Sequence, residues 1–217
     1  ATVEGDAPIT NEGFLLADTG GHYLTGTTDC TRTYALGPLR PDQTACYTAV
    51  LRGNLNLAAA RFKQGCTGIN LDYLARQPLW EMGLDFNHGT GHGVGYLLSV
   101  HEGPQSIRWA SLGQDSALLP GMVTSDEPGV YFDGDYGIRL ENLMLCVRQD
   151  TTPFGTFLGF ESLTLTPFDL DAVDPSLMSD GEKVLLNRYH AKVRDALTPL
   201  LPPEEAVWLQ DATRPVE

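Results

Sequence analysis

The sequence predicts an α+β domain in which helices cover one side of a curved, mainly antiparallel sheet. Three observations point there. Near the start, GFLLAD (13–18) and TTDCTRTYAL (27–36) carry strand-like apolar and β-branched patterns on either side of a Gly-rich stretch. Two helical stretches follow, one opened by Pro41 and one closed by Gly83. From Val94 onward short strand patterns dominate, until a capped helix begins at Ser179.

Taken in order, GFLLAD and TTDCTRTYAL read as a hairpin with TGGHYLTG (19–26) as a long loop. Period-two alternation sets Asp29 and Cys30 on opposite faces. Pro41 pre-sets φ for a first helical turn; the helix is expected to run to about Lys63, with Gly65 as its cap. A second helix is expected from Ile69 to Met82. Pro78 lies inside it, removes a donor, and should kink or split it. Strands are expected in VGYLLSVH (94–101), MVTSDE (122–127), GVYF (129–132), GIRLENLMLCVRQ (137–149) and SLTLTPF (162–168). Ser179-Asp-Gly-Glu182 is a capping box before a helix through Leu197, with Leu186, Tyr189, Val193 and Leu197 on one face. A shorter helix is expected over 203–211.

Composition bounds the function. At 217 residues and 42% hydrophobic, the chain can bury a substantial core. A net charge of −14 argues against nucleic acid and against an anionic membrane face as partners. No apolar stretch approaches the length of a membrane span. ATVEGDAPIT at the start has neither region of a signal peptide. Cys30, Cys46, Cys66 and Cys146 are widely spaced and form no CxxC pair, which suits a reducing compartment. The expected location is cytoplasmic.

The chemistry rests on Asp18, Asp29, His92, Glu127 and Glu141, each in a segment marked by Gly, Thr or Pro. Four carboxylates brought together cannot all stay ionised, because like charges raise one another's pKa. Two divalent cations resolve that conflict, since four negative ligands and one neutral imidazole balance them. Hard oxygens with a single nitrogen favour Mn²⁺, Fe²⁺ or Co²⁺ over a thiolate-type zinc site. A two-metal site of this kind performs hydrolysis through a bridging hydroxide.

Each residue also has a plainer reading. A single Asp is usually a turn residue, but Asp18 and Asp29 follow or interrupt strand-like runs, where Asp is disfavoured. His88 and His92 are four apart, yet Gly89, Gly91, Gly93 and Gly95 make a helix improbable and suggest backbone in close approach to something. His88, His92 and His101 cluster within fourteen residues, whereas His22 and His190 match no motif. Glu127 precedes Pro128-Gly129 and reads as a strand-ending turn whose backbone is well fixed. Alternation puts Arg139, Glu141 and Leu143 on one face, which an ordinary surface Arg–Glu pair would also satisfy.

Six strings together carry a resemblance: Asp18-Thr-Gly-Gly, Gly26-Thr-Thr-Asp29, His88-Gly-Thr-Gly-His92-Gly-Val-Gly, Val100-His101-Glu102-Gly103-Pro104, Asp126-Glu127-Pro128-Gly129 and Gly137-Ile-Arg139-Leu-Glu141-Asn. In this order they resemble the pita-bread metallopeptidases, within them the aminopeptidase P (Xaa-Pro aminopeptidase) branch, from about residue 14 to the end. The resemblance implies the pita-bread fold with a C-terminal helical extension. It implies two divalent ions, Mn²⁺ first with Co²⁺, Fe²⁺ or Zn²⁺ as alternatives, held by Asp18, Asp29, His92, Glu127 and Glu141. Asp29 and Glu141 would bridge, and Glu127 would also shuttle the proton. His88 and His101 would contact substrate, and Arg139 would orient carboxylates or the substrate chain. The implied substrates are peptides with proline in second position, and a homodimer is a further expectation.

Prolidase, which cleaves only dipeptides, methionine aminopeptidase and a peptide-binding pita-bread module are the competing readings. HGTGHGVG followed by VHEGP, with the long C-terminal tail, favours the aminopeptidase P side over prolidase and methionine aminopeptidase, and the five intact ligands argue against a non-enzymatic module. The resemblance places one more substrate-contacting histidine at or before Ala1. On that reading residues 1–161 are an N-terminally incomplete catalytic domain, residues 162–217 a C-terminal extension completing it, and the piece alone is expected to be weakly active or inactive.

Overall fold

The structure, a computed structural model, describes residues 8–97, 99–111, 113 and 115–217. Residues 1–7, where the expected domain begins, lie outside the described residues.

Strands β1 (Phe14–Tyr23) and β2 (Gly26–Ala35) form one unbroken antiparallel hairpin turning at Leu24-Thr25. The Gly-rich stretch is therefore strand, not the long loop expected from its composition. Close approach explains the glycine: a Cβ on Gly20 would meet the Thr28 carbonyl oxygen at 2.7 Å. The register sets Asp18 opposite Thr31 and Gly20 opposite Asp29, so Asp18, Asp29 and Thr31 share one face.

Helix α1 (Pro41–Ala58) begins at the expected proline but ends before Lys63. Arg61–Lys63 instead form β3, with Phe62 turned inward and its neighbours exposed. Gly65, at φ +101°, makes the turn out of β3 rather than capping a helix. Helix α2 (Ile69–Trp80) runs through Pro78 and is not split by it. The proline sits in the last turn, where the one bond it forfeits is at the end of the ladder, and the chain leaves through Gly83 at φ +72°.

Among the described residues seven further strands follow: β4 (Gly91–His92), β5 (Ser106–Ile107), β6 (Val123–Asp126), β7 (Gly129–Tyr131), β8 (Gly137–Arg139), β9 (Asn142–Thr152) and β10 (Gly155–Ser162). The main sheet runs β3-β10-β9-β6, flanked by the ribbons β1-β2, β4-β5 and β7-β8. Every strand pair is antiparallel.

Three strand expectations are corrected. Residues 94–101, apart from Leu98, which lies outside the described residues, form a loop with Tyr96 and Leu97 exposed. The segment 137–149 breaks at Leu140-Glu141, because β8 pairs with β7 while β9 pairs with β6 and β10. Residues 163–168 are extended coil, since the carbonyls of Thr166 and Pro167 accept from the Arg32 side chain rather than from a strand. β10 lies just before them.

Helix α3 (Asp180–Leu197) carries the expected capping box, Ser179 with Glu182, and α4 (Pro203–Ala212) follows. Tyr47, Val50 and Leu51 of α1 share a core with Val130, Ile138, Leu186 and Val193. At about 2 kcal/mol per fully buried aliphatic side chain, this seam holds α1 and α3 on the strands that carry the site. A second core joins Leu57, Leu71, Ile107, Met144 and Leu158. Arg32 is buried, stacks 4.2 Å over Phe168 and donates to Asn142 and to the Glu141 carbonyl, tying β2 to the start of β9. Among the described residues no helix is long and apolar enough to cross a membrane.

Candidate metal centre

The structure brings the five expected ligands together from five places in the fold: Asp18 on β1, Asp29 on β2, His92 on β4, Glu127 just after β6 and Glu141 between β8 and β9. Ligand atoms of Asp18, Asp29 and Glu141 lie within 4.8 Å of one another, as do those of His92, Glu127 and Glu141. Glu141 belongs to both triads. A third set, Asp29, His92 and His101, meets the same limit, so His101 stands nearer the ligands than an outer residue need be. Its ring lies edge-on to His92 at 4.4 Å between centroids.

Close backbone approach delivers His92. A Cβ on Gly91 would fall 2.0 Å from the Ser125 carbonyl oxygen, so only glycine lets β4 lie this close to β6. The His92 amide then donates to Ser125 Oγ at 2.9 Å, and that hydroxyl donates to Glu127 Oε1 at 2.9 Å. His92 Nδ1 donates to the Gly93 carbonyl at 2.9 Å, which fixes the tautomer and turns Nε2 toward Asp29 and Glu127, at 3.5 and 3.2 Å. Ser125 was not singled out from sequence. Its alternation with Glu127 along β6 was the available signal.

The electrostatics suit cations. Burial pushes the Glu141 carboxyl up, with Glu127 and Asp29 adding to it, to about 8. Burial alone would lower the His92 imidazole, but hydrogen bonds to Asp29 and Glu127 prevail and raise it to about 10. Glu141 Oε2 accepts from Thr31 Oγ1 at 2.7 Å, whereas Oε1 is buried with no partner among the described residues. A cluster that otherwise retains protons, with a buried carboxylate oxygen left over, fits divalent ions held by hard oxygens and one imidazole. Asp126, next to Glu127 at the end of β6, is buried with neither oxygen hydrogen-bonded among the described residues; burial raises its carboxyl well above the usual range.

Arg139 and His88 surround the cluster. Arg139 donates to Asp18 at 2.5 Å, to Thr31 Oγ1 at 3.2 Å and to the Tyr131 hydroxyl at 3.1 Å. Tyr131 in turn donates to His88 Nε2 at 2.8 Å, because His88 Nδ1 is committed to the Gly89 carbonyl at 2.7 Å. Burial lowers the His88 pKa, so the imidazole is neutral. Although the strand breaks between them, Arg139 and Glu141 both reach Thr31. Tyr131 and Thr31 were missed in the sequence because neither stands beside a charged motif partner. Of the two histidines without a motif, His22 pairs with Thr27 on the hairpin, and His190 is buried, accepting from the Phe168 amide.

The profile of metallopeptidase family M24 matches residues 1–148, and that of the C-terminal region of the family matches residues 156–216. This chain belongs to metallopeptidase family M24. Aminopeptidase P1 of Arabidopsis thaliana is 43% identical over 216 residues, covering 98% of this chain and 34% of the relative. A probable Xaa-Pro aminopeptidase P of Arthroderma gypseum is 44% identical over 216 residues, covering 97% and 34%. The chain thus spans about a third of the length of the curated relatives it matches. Among solved structures, X-prolyl aminopeptidase from Caenorhabditis elegans, described as a cytosolic enzyme with a di-nuclear active site, superposes with a TM-score of 0.91. It is 40% identical and covers 100% of this chain and 36% of its own. Prolidase from Pyrococcus horikoshii OT3 gives a TM-score of 0.60 at 31% identity, covering 72% of this chain and 41% of its own. The expected pita-bread fold, a mixed helix and antiparallel-sheet domain without a closed barrel, is borne out by this M24 chain.

Proposed function

We propose that this M24 chain is the catalytic part of an aminopeptidase that hydrolyses the N-terminal Xaa-Pro bond of peptides with two divalent ions. The observation that carries the reading is the pair of ligand triads sharing Glu141. Asp18, Asp29 and Glu141 would hold one ion, and His92, Glu127 and Glu141 the other, with Asp29 reaching toward both. When bound, the ions supply Lewis acidity toward water and toward the peptide carbonyl. Mn²⁺ is the proposed metal, on the hard-oxygen donor set.

The chain's own residues do the rest. Glu127 takes the proton from attacking water and returns it to the leaving amine; its Oε1 is held by Ser125, and its Oε2 lies 4.0 Å from Arg139 Nε. Arg139 orients Asp18, and through Tyr131 it is linked to the neutral His88 beside the peptide path. His101, exposed and edge-on to the His92 ring, contacts substrate.

Proline in second position rests on the similarity to Xaa-Pro aminopeptidases, and a cytoplasmic location on the similarity to the cytosolic C. elegans enzyme. The competing prolidase reading is weaker, because the solved prolidase covers 72% of this chain and the X-prolyl aminopeptidase all of it. Assay of the Mn²⁺-loaded protein on Ala-Pro-Ala and on Ala-Pro separates them. Tripeptide cleavage supports the proposal and dipeptide-only cleavage supports prolidase, whereas no cleavage of either together with no Mn²⁺ bound supports a peptide-binding module.

A further inference from the structure

The loop 84–90 carries His88 but has no strand or helix of its own. One ion pair on α2 ties down most of its length. Arg76 and Asp72, a turn apart and both fully buried, meet at 2.7 Å between Arg76 Nε and Asp72 Oδ2. Three of the four remaining guanidinium hydrogens go to the loop: Nη1 donates to Asp85 Oδ1 at 2.6 Å and to the Phe86 carbonyl at 2.7 Å, and Nη2 to the His88 carbonyl at 2.9 Å. The guanidinium also stacks 3.8 Å from the centre of the Phe86 ring, which itself packs 4.8 Å from the His88 ring. The other carboxylate oxygen of Asp72 accepts from Thr90 Oγ1 at 2.5 Å, and the Thr90 carbonyl accepts the amide of Glu127 at 2.8 Å.

We propose that Asp72 and Arg76 are positioning residues that set His88 through one arm and Glu127 through the other. Burying an arginine beside an acid is costly unless its donors are used, and here three of them are spent on the loop that bears His88, on the Phe86 and His88 carbonyls and the half-exposed Asp85 carboxylate. Lysine could neutralise Asp72 but could not span the same four acceptors. The Thr90 arm is separate from it: it depends on one hydroxyl and ends on the backbone of the proposed proton shuttle. The inference rests on the metallopeptidase reading for what His88 and Glu127 do, but not for how they are held.

The test uses three variants of the whole protein, Arg76→Lys, Thr90→Val and Thr90→Ser, each followed by three readouts. These are Mn²⁺ affinity by calorimetry, the ¹⁵N signals of the His88 imidazole, and kcat and KM on Ala-Pro-Ala. Partners that orient ligands typically change metal affinity or activity by about 10- to 100-fold. Arg76→Lys should shift the His88 signals and lower kcat/KM about tenfold with Mn²⁺ affinity at the wild-type value. Thr90→Val should weaken Mn²⁺ about tenfold with the His88 signals unmoved, and Thr90→Ser should restore it. Should Arg76→Lys fail to fold, the Thr90 pair still decides the Glu127 arm. Wild-type Mn²⁺ affinity in Thr90→Val, or wild-type His88 signals in folded Arg76→Lys, would overturn the proposal and leave the pair a stability element only. If the wild type does not cleave the tripeptide, the peptidase reading fails, and the brace is still judged by Mn²⁺ affinity and the imidazole signals.

Discussion

Arg139 and Glu141 meet at one hydroxyl. Arg139 Nε donates to Thr31 Oγ1 at 3.2 Å, and the same hydroxyl donates to Glu141 Oε2 at 2.7 Å. Thr31 is also the cross-strand partner of Asp18, whose carboxylate Arg139 holds with Nη2. One threonine therefore registers three groups of the site. Thr31→Val removes the hydroxyl at nearly constant volume. It should weaken Mn²⁺ binding about tenfold and cost about 1 kcal/mol of stability, whereas Thr31→Ser should do neither. Calorimetric titration with Mn²⁺ checks the first effect and denaturant unfolding the second.

Metal and protons compete for the same groups. With His92 raised to about 10 and Glu141 to about 8, both are protonated at neutral pH in the metal-free protein. Binding of the ions should therefore release about two protons, measurable by calorimetry in buffers of differing ionisation enthalpy. The stability of the metal-free protein carries the same sign. Both folded pKa values are raised, so the stability these groups contribute is present at low pH and lost on the alkaline side. For Glu141 the loss falls between about 4.5 and 8, and for His92 between about 6.5 and 10. The melting temperature in chelator should fall from about pH 5 to about pH 9, while saturating Mn²⁺ should remove that fall. A flat profile in chelator would contradict the assignment.

His190 titrates in the opposite sense. Burial first, then Arg32, Arg194 and Arg214, lower its pKa to about 4. A depressed histidine leaves stability intact above its unfolded pKa near 6.5, with loss as pH falls toward 4, because only the unfolded chain takes up the proton. The loss amounts to about 3 kcal/mol, and it should be largely absent in His190→Gln, whose amide oxygen can still accept from Phe168. Denaturant midpoints at about pH 7 and about pH 4.5 measure the difference.

Several features were legible because their causes are local. The Ser179–Glu182 capping box depends on residues three apart, and the opposite facing of Asp29 and Cys30 on the period of a strand: Asp29 faces His92, while the Cys30 thiol meets Thr166. Other features depend on distant partners. Glycine weakens a strand by itself, so the extension of β1 through Gly20-Gly21 came only from its pairing with β2. Ala58-Ala59-Ala60 favours helix, and the switch to β3 comes from β10, nearly a hundred residues on. The ligands could be read through motif order, but Thr31 and Thr90 could not, and Ser125 only through its alternation with Glu127. A lone Thr leaves no pattern, and the hydroxyl of Thr31 finds its carboxylate across a sequence separation of 110.

Glu127→Gln should abolish peptide hydrolysis, because an amide can neither accept the water proton nor supply a full ligand charge. The fold should survive, since no core packing depends on this half-buried side chain. Turnover on Ala-Pro-Ala and the far-ultraviolet dichroism spectrum report the two parts separately.

His101→Ala distinguishes a substrate contact from a ligand. The ring nitrogen is within reach of Asp29 and His92, but the side chain is exposed and belongs to neither triad that contains Glu141. The variant should retain its metal content and lose turnover by about 10²-fold, the scale of one transition-state contact. Loss of metal from His101→Ala, read by elemental analysis, would move this histidine into the ligand set.

The central claim is that Asp18, Asp29, His92, Glu127 and Glu141 hold two divalent ions. Its most direct measurement is the metal content of the purified protein after loading with Mn²⁺ and dialysis, read by inductively coupled plasma mass spectrometry. Charge balance of four carboxylates with one imidazole predicts about two Mn²⁺ per protomer. A protein that comes through dialysis with none would contradict the account at its foundation.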